Sequence, residues 1–128
     1  MTKYTVNCEG VRDFAGFVAA MNDGLISPCG GDWRGSLDAL NDYLSLPDQA
    51  YVLDLLNPDA MSVVLGYEAT VIWYKRMLET CHESNRGNVA FNLSEAEAGR
   101  GATLWDIILE IFEDNAEYLS VRFADTSN

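Results

Sequence analysis

Apolar residues alternate with polar ones in some stretches of the chain and recur at helical spacing in others. Alternation predicts short strands at Lys3 to Asn7 and at Leu119, Val121 and Phe123. The nearly continuous apolar run from Ala50 to Leu56 is typical of a strand covered on both faces in a parallel sheet. Because parallel strands need crossover connections that are usually helical, we expect an α/β fold in which helices pack on a small three-stranded parallel sheet.

The predicted helices fall between these strands. Asp13 is placed to cap a first helix, which Gly24 would end in a left-handed turn. Ser36 is placed to cap a second helix, which Pro47 closes. The buried stripe of this second helix is predicted at Leu37, Leu40 and Leu44. Three further helices are predicted, at Asp59 to Leu65, at Tyr67 to Thr80 and from a cap at Thr103 onward.

The second half of the chain contains one helix with an unusually wide apolar surface and one segment without a clear pattern. The helix predicted at Tyr67 to Thr80 carries apolar residues around most of its circumference, so we expect it to be well buried. From Cys81 to Gly101 the pattern fits a weak strand over residues 88–93 and a helical turn over residues 94–99, so its assignment stays open.

Composition restricts the class of protein. A chain of 128 residues with 48% hydrophobic content fits a single domain, residues 1–128, and its three Trp, six Tyr and five Phe argue against disorder. The formal net charge is −12, from 20 acidic and 8 basic residues. Because nucleic-acid binding depends on clustered Lys and Arg, this charge excludes most direct nucleic-acid binding and favours a basic protein partner.

Cysteine, histidine and the N-terminus indicate a cytoplasmic protein without a cofactor. Cys8, Cys29 and Cys81 show neither a disulfide framework nor a zinc spacing. The one histidine, His82, follows Cys81 directly, and adjacent helical residues do not face each other, so we expect no cysteine catalysis, no metal and no enzyme activity. No secretion signal or membrane span is expected, because no apolar stretch approaches the required length.

A resemblance to a known family lies in the second predicted helix and the loop before it. The run from Trp33 to Leu44, Trp-Arg-Gly-Ser-Leu-Asp-Ala-Leu-Asn-Asp-Tyr-Leu, resembles the matching region of the barstar family, bacterial inhibitors of the ribonuclease barnase. The order of strands and helices around it is also similar. The resemblance implies a barstar-like sandwich with an extra inserted segment within residues 66–101, and a protein that inhibits a ribonuclease.

The resemblance also implies a mechanism of inhibition. Asp38 and Asp42 lie one helical turn apart, so both carboxylates project from the same face and can imitate phosphates in a basic active site. By resemblance, Asp42 enters the phosphate-binding centre of the enzyme and Asp38 is its neighbour. Trp33 would be a flat apolar anchor beside them, and Gly35 would let the loop backbone approach closely.

The remaining predicted contact residues include departures from the family. Asn41 stands where well-known barstars carry an aromatic residue, and Arg34 places a positive charge within the predicted surface, so both can alter specificity. Ser36 completes the loop side of this surface, and Glu113 on the last helix is predicted as a peripheral acidic contact. Two alternatives stay open: an immunity protein against a different nuclease toxin, and an interaction module with no inhibitory role.

Overall fold

The computed structural model describes residues 1–125 and contains a parallel sheet with helices packed on one face. The strands are β1 (Thr2–Asn7), β2 (Tyr51–Leu56) and β3 (Leu119–Ala124). The helices are α1 (Phe14–Met21), α2 (Leu37–Tyr43), α3 (Met61–Val64), α4 (Tyr67–Thr80), α5 (Arg86–Glu97) and α6 (Leu104–Asp114). The predicted α/β class with a small three-stranded parallel sheet is therefore confirmed.

The strands lie in the order β1-β2-β3, and both pairings are parallel. Tyr4, Leu53 and Val121 stand side by side across the sheet and belong to the face that the helices cover. The three residues of β2 on this face, Tyr51, Leu53 and Leu55, are fully buried. Residues of β2 on the other face, such as Val52, are only partly buried. The prediction that this strand is covered on both faces is therefore wrong.

The open face of the sheet is polar because it carries an ion cluster. The Asp54 carboxylate accepts hydrogen bonds from Arg122 Nε at 2.7 Å and Arg122 Nη2 at 3.1 Å, and Lys3 Nζ lies 3.6 Å from it. The side chain of Asp54 is only 13% exposed. Both cations, Arg122 most strongly, hold the pKa of Asp54 below its usual value. Each strand thus contributes one charge, so this face needs no covering layer.

The first helix begins as predicted but ends differently. Asp13 Oδ1 accepts the backbone N–H of Gly16 at 2.8 Å, which confirms the cap. The chain then continues through a π-helical turn, Asn22–Ile26, and a 3-10 turn, Ser27–Cys29. Gly24 lies inside the π-helical turn, so its predicted role as a left-handed helix end is wrong. Gly30, with φ of 90°, ends this stretch instead.

The helices that form the main core follow the predicted pattern. Ser36 Oγ accepts the N–H of Ala39 at 3.3 Å, and the predicted stripe of Leu37, Leu40 and Leu44 is buried. At the other end of the chain, Thr103 and Asp106 form a reciprocal capping box at the start of α6. Both predicted caps are therefore confirmed.

Helices α4 and α5 pack against each other as a hairpin with its own small apolar cluster, centred on Tyr74, Val89 and Ala96. The predicted bounds of α4 are confirmed, but its predicted deep burial is wrong, because only Thr70 and Tyr74 are buried and Ile72 is 49% exposed. Residues 88–93 belong to α5 and form no strand. Among residues 1–125, no helix is long and apolar enough to cross a membrane.

Candidate functional site: an acidic groove between two helices

A groove of about 850 Å³ lies between α2 and α6. Both helices contribute carboxylates, and apolar side chains form the surface between them. We call this feature the acidic groove. It is lined by Leu37, Asp38, Asn41, Asp42, Trp73, Ile107, Glu110, Ile111, Asp114 and Asn115.

The α2 wall carries the two aspartates that the sequence singles out. Asp38 and Asp42 are both exposed and stand one turn apart, with about 6 Å of axial rise between them. Leu37 and Leu40 face the core and hold this helix in place, which leaves both aspartates pointing outward. Within residues 1–125, neither carboxylate has a cation within 4.0 Å or a hydrogen-bond donor. Both therefore remain available to a cationic partner.

The α6 wall carries a second pair with the same spacing, Glu110 and Asp114. Ile107 and Ile111 lie between these acids and α2, so the four positions 107, 110, 111 and 114 form one helical face. This face could have been found from the sequence, because both acids stand three residues after an apolar position of the stripe. The acid predicted from the sequence on this helix is Glu113 instead.

Glu113 lies outside the acidic groove. It is exposed and borders a separate depression that α6 forms with β3, together with Leu109, Phe112 and Phe123. One residue of a helix turns the side chain by about 100°, which is enough to carry Glu113 away from α2. Glu113 therefore does not share the acidic groove with Asp38 and Asp42, and its role as a peripheral acidic contact stays a prediction.

A chain of hydrogen bonds joins the two walls at the floor of the groove. Asn115, only 6% exposed, donates from Nδ2 to Asn41 Oδ1 at 2.9 Å and to the Ile111 carbonyl at 2.7 Å. Its Oδ1 accepts from the hydroxyl of Tyr118. These bonds fix Asn41 of α2 against the end of α6, and so they fix the spacing of the two acidic walls. Asn115 was not identified from the sequence, because its partner lies 74 residues away.

Trp33 is a core residue and not a surface anchor. Its side chain is 1% exposed and makes edge-on contacts with Phe14 and Phe17, and the indole N–H donates to the Ser36 carbonyl at 2.7 Å. The side-chain amide of Asn22 binds both the carbonyl and the N–H of Trp33, at 2.7 and 2.8 Å. The predicted contact role of Trp33 is wrong, because its ring shapes the loop from within.

The other predicted loop residues lie beside the acidic groove. Arg34 and Gly35 border a neighbouring cleft between α1 and α4, which also contains Arg76. The Arg34 side chain is 88% exposed, and its Nε lies 3.3 Å from an Asp32 carboxylate oxygen. Gly35 has φ of 105°, so its residue type is required by the backbone conformation. Ser36 caps α2 and borders a second neighbouring depression together with Asp38.

In the part of the chain that the structure describes, no group of three or more His, Cys, Asp or Glu side chains is arranged to hold a metal ion. His82 Nδ1 lies 2.8 Å from Ser84 Oγ and accepts the Ser84 N–H at 3.2 Å, so this ring caps the short turn before α5.

No protein-family model matches this chain, and no curated protein or solved structure matches it significantly. What the acidic groove does must therefore be inferred from its own geometry and chemistry.

Proposed function

We propose that this protein is a barstar-like inhibitor that blocks a basic ribonuclease by placing the acidic groove over the catalytic site of the enzyme. One observation carries the proposal: Asp38, Asp42, Glu110 and Asp114 line one groove, and none of them pairs with a cation elsewhere in residues 1–125. We further propose that the protein acts in the cytoplasm, where an active ribonuclease would damage the RNA of the cell.

This arrangement of carboxylates destabilises the free protein. Like charges one turn apart on a helix destabilise it by a few tenths of a kcal/mol per pair, and each wall of the groove contains such a pair. A cationic partner offsets this repulsion, because each carboxylate then lies close to a positive charge. A ribonuclease must present such a partner, because its active site binds a polyanion and stabilises negative charge on the reacting phosphoryl group.

The fold supports the same proposal. A three-stranded parallel sheet with α2 and α6 side by side is compatible with the barstar resemblance noted in the sequence. Asp38 and Asp42, which that resemblance selects, are exposed and share the groove with the α6 acids.

Inhibition can be tested directly with barnase and a panel of other basic ribonucleases. Cleavage of a fluorogenic RNA oligonucleotide at low ionic strength is measured while the protein is titrated in. We expect inhibition that saturates at one molecule of inhibitor per enzyme. A purified 1:1 complex that keeps full ribonuclease activity would contradict the proposal, and inhibition of a basic deoxyribonuclease alone would favour the immunity-protein alternative.

The assigned surface is tested by Asp42→Ala, with Glu113→Ala as the matched control. Both substitutions remove one exposed helical carboxylate and change the net charge equally, but only Asp42 lies in the acidic groove. Truncating one member of a buried charge pair costs about 2–5 kcal/mol, so we expect Asp42→Ala to weaken inhibition at least about 30-fold. Glu113→Ala should change it less than about threefold. Equal effects of the two substitutions would show that the contact surface lies elsewhere.

A further inference from the structure

The orientation of the Asn115 side-chain amide is fixed by its surroundings. The carbonyl of Ile111 can only accept a hydrogen bond, so the amide atom 2.7 Å from it must be Nδ2. The Tyr118 hydroxyl on the other side then donates to Oδ1 of Asn115. The second Nδ2 proton of Asn115 is left for Asn41, at 2.9 Å.

The orientation of Asn41 follows from that of Asn115. The atom of Asn41 that receives the Asn115 proton must be Oδ1, so the Nδ2 group of Asn41 lies at the other end of its amide. Asn41 is exposed and lines the acidic groove. Within residues 1–125 its Nδ2 group makes no hydrogen bond to a protein acceptor. The groove thus presents an N–H donor among four carboxylates.

We infer that Asn41 determines specificity by donating a hydrogen bond to a neutral acceptor of the partner, a main-chain carbonyl. This inference rests on the proposed function. A bound partner that offers only cations at this point would bury the Asn41 amide without an acceptor, which is unfavourable. An anionic acceptor would be repelled by Asp38, Asp42, Glu110 and Asp114, so the acceptor that fits is uncharged.

The substitution Asn41→Asp separates the role of the donor from that of charge. Aspartate has nearly the same shape, and its carboxylate can still accept from Asn115, so the link between the walls is preserved. The change removes the donor and adds one negative charge to the acidic groove. Charge alone therefore predicts tighter binding of a cationic ribonuclease, whereas loss of the donor predicts weaker binding. The two explanations differ in sign.

The experiment measures the dissociation constant for barnase, or for the ribonuclease of the panel that the wild-type protein inhibits most strongly. Gln49→Glu is the matched control, because it makes the same amide-to-carboxylate change at an exposed residue outside the acidic groove. We expect Asn41→Asp to weaken binding about tenfold, in line with one lost hydrogen bond, and Gln49→Glu to leave binding unchanged or slightly tighter.

The outcomes separate this inference from the proposed function. If wild type binds and Asn41→Asp binds equally or more tightly, the donor role is overturned and the proposed function stands. If wild type binds no ribonuclease, both are overturned. Side-chain amide NMR provides the structural control: the Asn115 amide protons should remain protected from exchange in Asn41→Asp. Weaker binding together with loss of that protection would count against a donor role, since the groove itself would have rearranged.

Discussion

At the residue scale, Gly24 shows how closely the π-helical turn approaches the sheet. A Cβ atom at this position would lie 2.2 Å from the carbonyl oxygen of Thr5 and 2.8 Å from a methyl group of Val6. The Thr5 oxygen belongs to the backbone of β1 and cannot move without disturbing the strand. Gly24 thus allows the turn to pack against the sheet.

Substituting Gly24 therefore tests this contact. We expect Gly24→Ala to lower the free energy of unfolding by about 3 kcal/mol or more, because the methyl group overlaps backbone atoms. Urea denaturation measures the change. Gly87→Ala is the control: Gly87 lies in α5, a Cβ there meets nothing within 4 Å, and alanine should be neutral or stabilise by up to about 1 kcal/mol. Equal stabilities of the two variants would contradict the described approach of turn and strand.

Individual residue roles could be predicted where the determining contact is local. Ser36 caps α2 through a residue three positions away, and the spacing is visible in the sequence. The burial of Trp33 depends on Asn22, eleven residues earlier, and on aromatic rings of α1. The family resemblance implied that Trp33 is an apolar contact anchor, and the distant contacts that bury its ring have no local pattern in the sequence.

At the element scale, Thr70 joins α4 to the start of α6. Its side chain is fully buried, its hydroxyl donates to the Gly66 carbonyl at 2.7 Å, and it accepts the N–H of Leu104 at 2.8 Å. The first N–H groups of a helix have no partner within the helix, so Thr70 satisfies one that is buried. The α4–α5 hairpin is thereby attached to the main core by a polar contact.

The substitution Thr70→Val should remove this contact while keeping the shape of the side chain. We expect a loss of about 1–3 kcal/mol in the free energy of unfolding, because the Leu104 N–H would be buried without an acceptor. Hydrogen exchange at Leu104 should become faster. Thr70→Ser keeps the hydroxyl, so it should preserve the protection of this amide; faster exchange in the serine variant as well would show that the hydroxyl does not hold α6.

Whole elements could be predicted where caps and periodicity agree. The start of α6 satisfies both conditions, whereas the bounds of α4 were predicted from periodicity alone, because no side chain caps its start. Helix α5 could not be assigned, because its apolar residues do not form one stripe: Val89 is buried whereas Phe91 is 64% exposed. Its packing against α4 stabilises it, and that contact between helices has no signature within the segment itself.

At the scale of the whole molecule, charge is distributed unevenly between the two layers. The helix layer carries the acidic groove, with four carboxylates. The charged residues on the open face of the three strands are Lys3, Asp54 and Arg122, which together carry one net positive charge. Composition predicted the overall sign of the field. It could not predict the arrangement, because the pairing of α2 with α6 brings together residues about 70 positions apart.

This distribution predicts how salt affects complex formation with a basic ribonuclease. The four carboxylates of the acidic groove, within a net charge of −12, would attract and orient a cationic partner before contact. The Debye length falls from about 20 Å at 0.02 M salt to about 4 Å at 0.5 M, which removes this long-range attraction but weakens short contacts less. We expect the association rate to fall at least tenfold over this range and the dissociation rate to change less than about threefold. Stopped-flow measurement of both rates tests this prediction. A salt effect confined to the dissociation rate would contradict it and would mean that the acidic groove acts only after docking.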